Sequence, residues 1–342
     1  MAREKTPPPA LEAKPLDLDS HVRPFLKWAG GKRQLLPQIR RFYPESFGAY
    51  YEPFVGSGAV FFDLYTRGLL AGRQAVLMDN NADLVGCYLM VRDQVDAVIQ
   101  HLRELALAYR ADPRAHYYSV RDEQFNPERH QIFNGDAPKS SRYTPALAAK
   151  LIYLNRTGFN GLFRVNSQGQ FNVPLGRYTN PRICDRTNLQ QVARALAETR
   201  ADICQAPFQT VLDRAQPGDF AYFDPPYAPL SRTALFTSYT ADRFSLPDQQ
   251  RLQQVTIELA RRGCWVLLSN STASEIADLY DGNREAKAAG LSAYQIPARR
   301  AINSDATGRG QILEYLITNL PRHDETEGHP QSAANFSSNG LS

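Results

Sequence analysis

Seven short apolar segments limit what this chain can fold into more than any other feature of it. They are Tyr50 to Val55, Ala75 to Asn80, Ile203 to Gln205, Phe220 to Asp224, Cys264 to Asn270, Tyr294 to Ile296 and Leu313 to Thr318. Each is too short for a core helix and suits a strand. Several are apolar on both faces, the pattern of strands covered on both sides. Helix-like stretches alternate with them, at Ser57 to Arg67, Asp248 to Arg262 and Ser271 to Tyr280. Such alternation predicts an α/β fold with a doubly wound, mostly parallel, Rossmann-like sheet. At 342 residues the chain has room for that sheet and one smaller domain.

The stretch from about Asp83 to Asn188 breaks the alternation with helical periodicity, loops and one hairpin signal. Phe163-Arg164-Val165-Asn166 and Phe171-Asn172-Val173-Pro174 flank a turn in which Gly169 supplies positive φ. We therefore expect a sheet domain from residues 21–82 and 189–320 and an inserted, mainly helical domain from residues 83–188. Residues 1–20 are Pro-rich and polar and residues 321–342 have almost no large apolar side chain, so both are expected to be mobile tails.

The net charge is only +4, so its distribution says more than its size. Between Ala137 and Cys184 stand Lys139, Arg142, Lys150, Arg156, Arg164, Arg177 and Arg182, without one Asp or Glu. A stretch of one sign fits contact with phosphates, and assigns a nucleic-acid-facing role to the insertion. No apolar run is long enough for a membrane helix, and none follows the early charges as a secretory signal would require. A cytoplasmic protein is expected. The four cysteines and six histidines are scattered without metal-ligand or disulfide spacing, so no metal is expected.

The strongest local signal is Asp224-Pro225-Pro226-Tyr227, which follows an apolar strand. Ligands of open α/β sheets bind beyond the carboxyl ends of strands. These residues suit an exocyclic amine on an aromatic ring. Such a nitrogen becomes a nucleophile when acceptors hold its two hydrogens, and the Asp224 carboxylate and Pro225 carbonyl can be those acceptors. The prolines fix φ and stiffen the turn. Tyr227 offers a ring on which a base can stack.

A second signal is Glu52-Pro53-Phe54-Val55-Gly56-Ser57-Gly58, closing one strand and opening a helix. Its glycines allow close backbone approach to a ligand. The full GxGxxG fingerprint is absent, since Phe61 stands at its third glycine, which disfavours a nicotinamide enzyme. Asp79 lies 21 residues after Gly58, where such folds hold ribose hydroxyls. The third signal, Lys27-Trp28-Ala29-Gly30-Gly31-Lys32, is followed by Arg33 and not by the Ser or Thr of an ATPase loop. A Gly-Gly turn between Trp28 and Lys32 can instead close over a small zwitterion, the lysine meeting its carboxylate.

Together these residues resemble the Dam-type adenine-N6 DNA methyltransferases of the D12 class, group alpha, whose order is FxKWAGGK, EPFxGxG, a recognition insertion, then DPPY. The likeness covers residues 23–319. It extends to Tyr153-Leu154-Asn155-Arg156, Gly158-Phe159-Asn160-Gly161-Leu162-Phe163-Arg164, Phe171-Asn172-Val173-Pro174, the sequence DPPYAPLS with FTSY behind it, and Leu268-Ser269-Asn270. Two positions depart from the pattern: Phe159 replaces the usual Tyr, and Pro207 stands before Phe208 where many members carry Asp.

The resemblance implies that Trp28, Lys32, Asp79 and Asp224 contact S-adenosylmethionine and that Phe54, Gly56 and Gly58 line its pocket. It implies that Lys27, Asn160, Arg164 and Pro174 face double-stranded DNA at GATC, with no membrane and no obligate protein partner. Adenine N6 cannot reach a protein pocket from inside a duplex, so base flipping is expected. Cytosine-C5 methylation would need a nucleophilic cysteine after proline, and no cysteine here follows one. Related enzymes acting on cytosine N4 usually begin the tetrapeptide with Ser, and those acting on glutamine or rRNA with Asn. Asp224 disfavours both. A catalytically dead DNA-binding module or a general S-adenosylmethionine-binding partner is the rival from another class, and an intact DPPY argues against decay.

Overall fold

A computed structural model describes residues 21–133, 139–228, 244–299 and 311–322. Most of both expected tails, and the FTSY segment after DPPY, lie outside the described residues. Two compact units are present, Met1–Arg33 with Gly48–Arg214, and Gln34–Phe47 with Ala215–Ser342. The first unit carries three parallel strands and the second a parallel pair extended by antiparallel strands, so the α/β class and the mostly parallel, Rossmann-like sheet follow the sequence pattern.

Gln34–Phe47 carries the short helix α1 (Leu36–Ile39). In the first unit, β1 (Tyr50–Glu52), β2 (Ala75–Asp79) and β3 (Asp202–Gln205) run parallel in the order β3-β2-β1. Leu77 of β2 pairs with Glu52 on one side and Ile203 on the other. Ala75 to Met78 are buried at every position, as a central parallel strand requires. Helix α2 (Ala59–Thr66) follows β1, and α3 (Ala82–Asp93) follows β2. Asn81 caps α3 by accepting a hydrogen bond from Leu84 N at 3.0 Å.

The stretch between β2 and β3 is helical, as its periodicity indicates. It holds α4 (Val95–Ala111), α5 (Pro113–Tyr118), α6 (Asn126–Phe133), α7 (Pro145–Thr157) and α8 (Arg186–Glu198), with a π-helical turn at Ser119–Phe125. Helix α7 packs on α3 and α4, and Leu147, Leu151 and Leu154 bury completely or nearly so. Asp83 of α3 and Arg129 of α6 form a buried ion pair at 2.8 Å, to which Tyr143 adds a hydrogen bond at 3.2 Å. The hairpin is present in short form. Val165 and Phe171 make an antiparallel bridge, and Gly169 has φ of +76° at the turn.

In the second unit, β4 (Phe220–Phe223) runs parallel to β5 (Trp265–Ser271), while β7 (Gln311–Thr318) runs antiparallel to both β5 and β6 (Ser292–Arg299). Helices α9 (Leu246–Arg261), α10 (Ser274–Tyr280) and α11 (Arg284–Ala288) complete it. Helix α9 starts two residues before Asp248, because the Asp248 carboxylate reaches back to accept from Ser245 N at 2.8 Å.

Candidate functional site

The first unit gathers Trp28, Gly56, Gly58 and Asp79 at the carboxyl ends of β1 and β2. Val55 N donates to Met78 O at 2.9 Å and ties the glycine loop to β2. Gly56 and Gly58 have φ of +47° and +67°, a backbone that side-chain-bearing residues rarely adopt. A Cβ on Gly56 would stand 3.0 Å from the Trp28 ring, and one on Gly58 2.7 Å from the Tyr88 hydroxyl oxygen. Tyr88 Oη in turn donates to Gly56 O at 3.2 Å. Glu52 opens the EPFVGSG segment as a structural residue. Its Oε2 accepts from Tyr50 Oη at 2.8 Å and from Phe61 N at 3.2 Å, fixing α2 to the end of β1.

Asp79 ends β2 half-buried. Its Oδ2 accepts from Gly56 N at 3.3 Å and its Oδ1 from Asn81 N at 2.9 Å. Burial nevertheless pushes its carboxyl up to about 6, against the opposing pull of those backbone donors. Phe54 stacks on Phe208 with ring centres 5.3 Å apart and planes 28° from parallel. The Trp28 to Lys32 turn is closed by Gly31 N on Trp28 O at 3.1 Å and by Lys32 Nζ on Gly30 O at 2.6 Å. This set fits a nucleoside-bearing cofactor. It offers a carboxylate for ribose hydroxyls, aromatic faces, and a loop backbone bared by two glycines at positive φ.

Lys27, Asn160, Arg164 and Pro174 lie together in the same unit. Asn155, 2% exposed, clasps this region by accepting from Lys27 N and donating to Lys27 O and Gly161 O, each at 2.8 Å. Lys27 Nζ sits over the Tyr178 ring, 4.1 Å from its centre. Asn160 and Arg164 are four apart but not on a helical turn. Asn160 has left-handed φ of +54°, a conformation Asn tolerates, and Arg164 lies exposed on the hairpin. Arg164 Nε donates to Asn172 Oδ1 across the hairpin at 2.7 Å. Phe159 N donates to Pro174 O at 2.8 Å, closing the segment before the hairpin on the one after it. Phe163 at the hairpin base stacks on Trp28 at 5.5 Å.

Not all of the basic stretch is available to an anion. Lys150 pairs with Glu128, and Arg156 donates to Phe25 O at 2.8 Å from a largely enclosed position. The one-signed sequence pattern marks both as phosphate-facing. Their partners lie far away along the chain, which is why charge counting could not separate them from Lys139 and Arg142.

Asp224 to Tyr227 belong to the second unit and follow β4 directly. Asp224 is half-buried, Pro225 buried and Pro226 exposed. Gln249 of α9, 2% exposed, donates to Pro226 O at 3.1 Å and accepts from Asn270 Nδ2 at 3.0 Å. Asn270, fully buried, receives Ala228 N at 3.5 Å, and Ser271 Oγ donates to Ala228 O at 2.7 Å. Tyr227 Oη donates to Glu314 at 2.7 Å. Burial first, then the Asp224 and Glu314 charges, holds that hydroxyl well above the ordinary tyrosine range, so it stays protonated and a donor. The turn is thus fixed at three points. A stiff carbonyl and carboxylate at a strand end suit the holding of an amine.

Tyr88, Phe208, Gln249 and Glu314 escaped the sequence reading. Phe208 was noted there only for its neighbour Pro207, and Tyr88, Gln249 and Glu314 stand in no motif. Among the described residues no group of three or more His, Cys, Asp or Glu side chains could hold a metal ion.

A family model described as D12 class N6 adenine-specific DNA methyltransferase matches residues 28–301. The chain is 39% identical over 303 residues to the type II methyltransferase M1.LlaDCHI of Lactococcus lactis subsp. cremoris, covering 87% of this chain and 96% of that one. It is 38% identical over 309 residues to the type II methyltransferase M.MjaIII of Methanocaldococcus jannaschii, covering 87% and 99%. It is 35% identical over 300 residues to the DNA adenine methylase of Escherichia coli, covering 87% and 96%.

Proposed function

The chain belongs to the D12 class N6 adenine-specific DNA methyltransferases, and from that premise we propose that it methylates adenine N6 within GATC of double-stranded DNA. The methyl donor is S-adenosylmethionine, whose sulfonium supplies an already activated methyl group when bound. Asp79 receives the ribose hydroxyls, Gly56 and Gly58 admit the cofactor against the backbone, and Phe54 and Trp28 give it apolar walls. Lys32 serves its carboxylate.

The observation that carries this reading is the Asp224 to Tyr227 turn, held by Gln249, Asn270 and Glu314. The Asp224 carboxylate and the Pro225 carbonyl accept the two hydrogens of the flipped amine, and the nitrogen lone pair is left for in-line attack. Extrahelical adenine costs a few kcal/mol, and stacking on Tyr227, worth roughly 1 to 3 kcal/mol, offsets part of it. No covalent intermediate is needed. Residues 83–188 form the target-recognition domain and the rest of the sheet region the catalytic domain. The names of the relatives support DNA as substrate.

DNA from cells expressing the protein, digested with nucleases that discriminate methylated from unmethylated GATC, tests the proposal. Resistance to the nuclease blocked by adenine methylation is expected. Cleavage as in control cells would refute the target.

Arg164 is expected to read a guanine. Its planar fork can pair with both O6 and N7, a contact worth about 1 to 3 kcal/mol against a wrong base. Arg164→Ala should relax methylation toward sites altered at one base pair, measured as the ratio of kcat/KM on GATC and near-cognate duplexes. An equal loss on both would make Arg164 a backbone clamp.

A further inference from the structure

A groove of about 970 Å³ runs between α4 and the segment leading into α8. Four arginines line it, Arg103 and Arg110 from α4, and Arg182 and Arg186 from the other wall, and no acidic residue does. Arg182 is tied to Asp185 at 3.3 Å, and Asp185 also holds Arg23. Arg103, Arg110 and Arg186 are exposed, and no carboxylate among the described residues lies within ion-pair distance of them. Three like charges kept together without a counter-charge repel one another in the free protein, a cost that a bound anion removes.

Spacing narrows the anion. Arg103 and Arg110 are seven residues apart on one face of α4, about 10 Å along its axis. One DNA strand rises about 3.4 Å along the duplex axis per phosphate, so with α4 lying along that axis the distance corresponds to about three phosphate steps. Leu107 lies between the two arginines with 70% of its surface exposed, leaving a floor that suits deoxyribose between charged ends. The far wall begins at Thr179, five residues after Pro174, which extended chain spans in at most about 17 Å.

We propose that this groove binds the phosphodiester backbone of DNA flanking the target, as a contact independent of sequence. The inference rests on the reading of the chain as an enzyme acting on duplex DNA. Arg103, Arg110 and Arg186 each neutralise one phosphate, and longer DNA gains what a duplex covering only the target cannot reach.

The test is the triple variant Arg103→Gln, Arg110→Gln and Arg186→Gln, with the double variant Arg103→Gln and Arg110→Gln beside it. All three positions are exposed, and melting curves check the fold. Binding is measured across a salt series on a duplex of about one helical turn and one of about four turns, each carrying one target. On the long duplex the salt slope should fall by about 2.7 in the triple variant and about 1.8 in the double, which makes the loss between about 0.05 and 0.2 M salt about 40-fold smaller in the triple. On the short duplex methylation should be unchanged. A wild-type slope on long DNA overturns the groove assignment, as does an equal loss on both lengths. Failure of the wild-type enzyme to methylate either duplex would instead sink the proposed activity, whatever the groove does.

Discussion

Asp224→Ala is expected to lower methyl transfer at least 100-fold while leaving the protein folded. The carboxylate lies at the end of β4 on a turn whose other anchors, Gln249 on Pro226 O and Asn270 and Ser271 on Ala228, do not use it. On the proposed mechanism its loss removes an acceptor at the attacking nitrogen and leaves those anchors intact. Loss of one preorganised polar group at a developing charge costs about 10² to 10³ in kcat, or about 2.7 to 4 kcal/mol. Asp224→Asn keeps an acceptor oxygen but not the charge, and charged acceptors bind roughly twice as strongly as neutral ones. An intermediate rate is expected of it. Single-turnover rates at saturating DNA and cofactor, with melting curves beside them, make the measurement. Activity of Asp224→Ala above about a tenth of wild type would remove Asp224 from the reaction. A lowered melting temperature without loss of rate would make it a structural residue.

The sheet was legible because its strands are local and apolar: Ala75 to Met78 can be little else than a buried strand, and the structure buries all four. Strand ends were less legible. β6 runs from Ser292 to Arg299, well beyond the expected Tyr294 to Ile296, because antiparallel pairing with β7 satisfies its backbone while polar side chains such as Gln295 face outward. The motif residues were legible too, because a glycine at positive φ or a proline at a strand end leaves a mark in the sequence. Their supports left none. Gln249 is 23 residues from Pro226, and Glu314 is 87 residues from Tyr227, so only the folded chain brings them together. Charge suffered from the same limit. Lys150 and Arg156 read as anion-seeking until Glu128 and the Phe25 carbonyl are seen to occupy them.

Asp79 should reveal itself through pH. Its carboxyl is raised from 3.8 to about 6, chiefly by burial. A group raised in this way contributes stability that is fully present below about 3.8 and is lost as pH rises through about 6. At pH 8 the ionised carboxylate is therefore a burden on the cofactor-free protein. The shift corresponds to about 3 kcal/mol at most, and about 1 to 2 once water at this half-buried side chain is allowed for. Ribose hydroxyls donating to the carboxylate relieve that burden, and such charge-assisted bonds are worth about 1.5 to 3 kcal/mol. Asp79→Asn should therefore weaken S-adenosylmethionine binding by about 10- to 150-fold at pH 8. In the absence of cofactor the same variant should melt higher than wild type at pH 8, with the gain roughly halved at pH 5 and gone only below about 3.8. Wild-type affinity should fall by up to about tenfold per unit as pH drops below about 6, while the variant's stays flat. Cofactor titrations and melts at pH 8 and pH 5 decide the matter. An unchanged dissociation constant with a lower melting temperature at pH 8 would mean that Asp79 serves only to receive Gly56 N and Asn81 N, bracing the loop without touching a ligand.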